Sequence, residues 1–86
     1  MTTITIHELT GERRSWTSTH SRANESTAIV RAIRRHFGRS HGFRHEPGLP
    51  AGYGSIVRHL SRRERGSGST WAAEVVIGRV RIDVEG

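Results

Sequence analysis

Residues 70–84 read Thr70-Trp71-Ala72-Ala73-Glu74-Val75-Val76-Ile77-Gly78-Arg79-Val80-Arg81-Ile82-Asp83-Val84, and the period of this stretch decides the fold. Apolar residues recur at every second position on either side of Ile77-Gly78, which is the spacing of strands with one buried face. If Ile77-Gly78 is a two-residue turn, Val75 faces Val80, Ala73 faces Ile82 and Trp71 faces Val84. The inner face is then wholly apolar, while the outer face pairs Glu74 with Arg81. The pattern predicts a hairpin, although Ile-Gly is a poorer turn than Asn-Gly. Just upstream, Gly66-Ser67-Gly68-Ser69 reads as a flexible hairpin tip. Ser55–Arg63 supports two readings, because Ile56, Val57 and Leu60 fit a short helix while Ile56, Arg58 and Leu60 fit a strand; the strand is adopted.

The N-terminal half is built on two different periods. Thr3–Leu9 places Ile4 and Ile6 on one face and Thr3, Thr5 and His7 on the other, a half-buried strand. Thr10-Gly11-Glu12 is turn chemistry, and Ser15–His20 alternates again around Trp16, so a second strand returns beside the first. Asn24 is placed to cap a helix over about Glu25–Phe37, with Glu25 at the positive end of its dipole. Ile29, Val30, Ile33 and Phe37 form its apolar stripe, and Gly38 ends it. Arg31, Arg34 and Arg35 then share the opposite face. Residues 38–54 hold five glycines with Pro47 and Pro50, which predicts a long flexible loop without regular structure. The expected architecture is α+β in one domain over residues 1–86. A single antiparallel sheet of about five strands, in the order ββαβββ, carries one amphipathic helix on one face. The other face is expected to be open and to display Thr3, Thr5, His7, Arg79 and Arg81.

A chain of 86 residues buries only a modest core, and one with no cysteine must hold it by packing alone. No apolar run approaches the roughly 20 residues of a membrane helix, and Met1–Glu8 lacks the basic start and apolar run of a signal peptide. A cytoplasmic protein with no membrane partner is expected. All fourteen basic side chains are arginine, so their positive charge is fixed across accessible pH, and the net charge is +6 at pH 7. The charge is uneven: residues 13–65 carry twelve arginines against Glu25, Glu46 and Glu64.

This arginine set is the main functional signal. Arg31, Arg34 and Arg35 on the helix, Arg39 and Arg44 in the loop, and Arg58, Arg62, Arg63 and Arg65 before the hairpin tip are the candidate binding residues. Guanidinium groups take phosphates bidentately and stack on bases, so a continuous surface of them suits a nucleic-acid backbone or an acidic protein surface. His36, His41 and His45 with Glu46 are close in sequence, but their spacing is loose and their neighbours are cationic, so no metal site is assigned. Gly52-Tyr53-Gly54-Ser55 lacks the lysine and spacing of a phosphate loop and reads as a hinge into a strand. Trp16 and Trp71 read as core anchors. With one aspartate and no clustered carboxylates, the chain is read as non-enzymatic and without a cofactor.

Two resemblances bear on the partner. Gly38 with Ser40-His41 resembles the glycine-serine-histidine stretch of small bacterial messenger-cleaving toxins. That resemblance implies a histidine general acid or base, with arginines on the scissile phosphate. Taken whole, two strands, the lone helix Asn24–Gly38 and a hairpin sheet resemble phage-encoded anti-CRISPR proteins, which bind a CRISPR effector and block it. Many of those are acidic DNA mimics. This basic chain departs from them, which would direct it to an acidic protein surface or a guide-RNA backbone.

Overall fold

The computed structural model describes residues 1–61 and 74–86. Its elements are β1 (Thr2–Glu8), β2 (Ser15–His20), α1 (Glu25–Phe37), β3 (His41–His45), β4 (Tyr53–His59) and β5 (Glu74–Glu85). The five strands form one antiparallel sheet in the order β2-β1-β5-β4-β3, with the helix on one face, so the α+β class and the ββαβββ order hold. The first hairpin pairs Ile4 with Ser18 and Ile6 with Trp16, and the chain then crosses the sheet through α1 to reach the far edge at β3. Among the described residues no helix is long and apolar enough to cross a membrane.

Local chemistry sets the helix. Asn24 Oδ1 accepts from the Thr27 amide at 2.8 Å, and the Gly38 amide donates to the Arg34 carbonyl at 3.0 Å where the helix stops at positive φ. The buried stripe differs from the one the sequence suggested. Ala28, Ala32 and Ile33 are fully buried, Ile29 and Phe37 pack at their margin, and Val30 is 43% exposed. The two alanines, one turn apart, lie beneath the axis, where their small side chains let the helix approach Ile4, Ile6, Ile56, Val80 and Ile82 of the sheet.

Two segments differ from the sequence reading. The expected Ile77-Gly78 turn does not exist, and β5 runs unbroken from Glu74 to Glu85. Val80, Ile82 and Val84 do face inward, but their partners are Glu8, Ile6 and Ile4 of β1. Val75 lies opposite Arg58 of β4, and Glu74 opposite His59. The strand changes neighbour along its length and absorbs the mismatch in a bulge: Ile56 opposes Gly78, Val57 opposes Val76, and Ile77 is the extra residue. A β-branched isoleucine fits a strand better than the positive φ of a hairpin turn. The proposed partners Ala73 and Trp71 and the tip Gly66–Ser69 lie outside the described residues.

The second difference is β3, which occupies the stretch read as irregular. His41–His45 pairs with β4, placing Phe43 opposite Ile56 against the core. Gly54 makes this possible, because a Cβ there would strike the Arg44 carbonyl oxygen and the Phe43 ring. Its glycine is a close-approach residue of a strand rather than a sign of a loop.

Candidate nucleic-acid interface

The described arginines divide between the two sides of the molecule. Arg31, Arg34 and Arg35 are exposed on the helix, and exposed Arg39 follows its end. Arg44 lies across the sheet from them, since alternation along β3 turns Phe43 to the core and Arg44 to the open face. Arg58 is half-buried on β4, cross-strand from His41. Arg62, Arg63 and Arg65 lie outside the described residues. The structure therefore groups the helix arginines with Arg39 and separates them from Arg44.

Ion pairing sharpens the division. On the open face Arg44 pairs with Glu74, Arg79 with Glu46 at 2.8 Å, and Arg81 with Asp83 at 3.3 Å. Arg81 is also held by Tyr53, whose hydrogen bond leads the causes that raise its guanidinium pKa, followed by the charge of Asp83. His7 joins the same network, with Nε2 at 2.8 Å from Asp83 Oδ2 and Nδ1 at 3.0 Å from Ser15 Oγ. Since a carboxylate only accepts, a neutral His7 carries its proton on Nε2 and accepts from the Ser15 hydroxyl. Beside it, Thr3–Thr19 and Thr5–Thr17 form cross-strand hydroxyl pairs at 3.1 Å. At the first hairpin Arg14 pairs with Glu8 at 3.0 Å and Glu12 at 3.4 Å, and its hydrogen bond holds the Glu8 carboxyl below the usual range.

Arg31, Arg34, Arg35 and Arg39 form no ion pair among the described residues; Arg31 donates only to the Ser21 carbonyl, at 3.3 Å. Charge spacing at i, i+3 and i+4 packs the first three within about one helical turn. Their partial compensation is the negative helix end, near Arg34 and Arg35. This concentration of unneutralised guanidinium groups lies on, and just beyond the end of, the only helix among the described residues.

His20, His36 and His41 serve the packing around that helix. His36 stacks on Trp16 with ring centroids 5.5 Å apart, Phe37 meets Trp16 edge-on at 5.1 Å, and Arg14 covers the Trp16 ring at 5.0 Å. Buried His20 bonds Ser18 Oγ through Nε2 at 2.8 Å. Burial is the main cause lowering the pKa of both His20 and His36; Arg31 and Arg35 add to it at His20, and Arg35 and His20 at His36. His41, the residue of the toxin-like stretch, tilts against Phe37 at 6.1 Å, and Glu46 is taken by Arg79. Among the described residues no three His, Cys, Asp or Glu side chains are grouped to hold a metal ion.

Periodicity alone placed Arg31, Arg34 and Arg35 outward. It did not find that Thr27 and Val30 share their surface. The available signal was Asn24, whose cap fixes the helical phase, together with Ala28 and Ala32 at i, i+4 spacing. No family model, curated protein or solved structure matches the chain.

Proposed function

We propose that this protein is a non-enzymatic binding module that docks on the phosphate backbone of nucleic acid through Arg31, Arg34, Arg35 and Arg39. One observation carries the reading: these four cluster on and just beyond the helix, exposed without a carboxylate partner among the described residues, whereas Arg14, Arg44, Arg79 and Arg81 are neutralised by the protein's own acids. Exposed Arg13 and Arg22, likewise without an ion pair among the described residues, lie singly in the loops before β2 and α1. A guanidinium already paired has less to gain from a phosphate, because the existing bond must be broken first. An unpaired one releases counterions from the backbone at no such cost. Arg62, Arg63 and Arg65 remain candidates for extending the interface.

The test is a titration of fluorescent duplex DNA and single-stranded RNA with the full chain across a salt series. Three to four phosphates neutralised give a log-log slope of about −3 on duplex DNA, at roughly −0.9 for each. Undetectable binding to both at low ionic strength would overturn the reading. A stable complex with a protein, formed by a chain inert to nucleic acid, would favour the effector-binding inhibitor instead. Cleavage of the RNA during the titration would favour the toxin-like reading of His41.

A further inference from the structure

A helix packed on a sheet is a ridge, and the crest of this one carries more than charge. At about 100° per residue, Thr27, Val30, Arg31 and Arg34 lie opposite the buried Ala28, Ile29, Ala32 and Ile33, with Arg35 on the flank beside Arg31. Together with Ser26, the crest residues line a shallow concavity of about 300 Å³. Val30 is 43% exposed there. An isolated valine among arginines adds nothing to phosphate binding, since a phosphate oxygen gains nothing from a methyl group. The thymine 5-methyl group does, and it lies in the major groove beside hydrogen-bonding base edges. Thr27 offers a second methyl, and Arg34 offers the fork that matches the O6 and N7 acceptors of guanine.

The dimensions agree with that setting. An α-helix with its side chains is about 10–12 Å across, and the B-form major groove is about 12 Å wide. Thirteen residues give a ridge about 20 Å long. No second helix among the described residues flanks it to prevent entry. Arg35 on the flank and Arg39 beyond the C-terminus are then placed for backbone phosphates, which fix register without reading sequence. The deep, narrow major groove of A-form RNA would not admit such a ridge.

We infer that α1 is a duplex-DNA reading helix that enters the major groove, with Thr27, Val30 and Arg34 on base edges and Arg35 and Arg39 on phosphates. This rests on the nucleic-acid reading above and narrows it to B-form DNA and to sequence preference.

The experiment is selection of the full chain on a pool of random-sequence DNA duplexes, followed by affinity measurements on the enriched duplex, a scrambled duplex, the matching single strand and the matching RNA duplex. Enrichment of a site containing guanine next to A·T pairs is expected, with the RNA duplex and single strand bound no better than scrambled DNA. Arg34→Gln should weaken the enriched duplex about 5- to 150-fold more than it weakens scrambled DNA, which is the discrimination of one bidentate base pairing. Arg35→Gln should weaken both equally. Salt-dependent binding without enrichment, or equal binding to RNA duplex, overturns the groove assignment and leaves phosphate docking standing. Absence of binding to any of the four probes overturns both.

Discussion

At the scale of single residues, buried His20 and half-buried His36 make the fold sensitive to acid. His20 and His36 both titrate below the ordinary 6.5 in the folded protein, chiefly because burial disfavours the charged ring. The unfolded chain therefore takes up protons first as the pH falls. Stability is fully present above about pH 6.5 and is lost as pH falls from there toward the depressed folded values. Denaturant midpoints at pH 7.5 and pH 5 check this, and a midpoint that does not drop at pH 5 would contradict it. His36→Phe keeps a ring against Trp16 and removes a buried Nε2 that has no hydrogen-bond partner among the described residues, so the acid drop should shrink. Gly52 is a second sensitive position. It sits at φ +95°, its carbonyl accepts from the Ile82 amide at 2.8 Å, and a Cβ would come within 2.5 Å of the Ile82 carbonyl oxygen. Gly52→Ala combines positive-φ strain with overpacking and should cost about 2–4 kcal/mol in equilibrium unfolding.

At the scale of elements, β5 is the strand whose course was hardest to read and is simplest to test. Ile82 is 5% exposed at the sheet centre, between β1 and β4, whereas Val75 is 36% exposed at the end that only β4 pairs. Ile82→Asp buries an unpaired charge and should cost more than about 3 kcal/mol or prevent folding. Val75→Asp should cost about 1 kcal/mol or less. Equal, severe losses would restore the hairpin around Ile77-Gly78, in which both side chains face inward. The same contrast separates what was legible from what was not. α1 and the β1–β2 hairpin follow from local signals: the Asn24 cap, the 3.6-residue period and two short alternating runs. β3 and the unbroken β5 depend on pairing between distant segments. Phe43 needs Ile56 and the bare Cα of Gly54, and Val84 needs Ile4 from the other end of the chain. Alternation gives a strand its faces without identifying its neighbours.

At the scale of the whole molecule, function turns on which charges remain once the fold has paired the others. The outward arginines of α1 were legible from periodicity, but the removal of Arg44 from their surface was not. Glu74 neutralises Arg44 only because β3, β4 and β5 lie side by side, bringing together residues distant in sequence. Equal formal charges thus differ by position, and a matched pair of triple variants measures the difference. Arg31→Gln, Arg34→Gln and Arg35→Gln together remove three unpaired charges without opening the core. Gln is nearly as good a helix former as Arg, so thermal stability should shift little. Arg44→Gln, Arg79→Gln and Arg81→Gln remove the same formal charge from the open face, at the modest cost of exposed ion pairs. The decisive measurement is the salt slope of duplex-DNA binding for the parent and both triples, with melting curves to verify folding. With α1 as the docking face, the helix triple flattens the slope by up to about 2.7 where all three arginines hold phosphates and by up to about 1.8 where Arg34 is turned to a base edge, near 0.9 for each phosphate no longer held, while the open-face triple leaves it close to the parent. A helix triple that retains the parent affinity and slope, or an open-face triple that weakens binding as much, would contradict the assignment of α1 as the docking face.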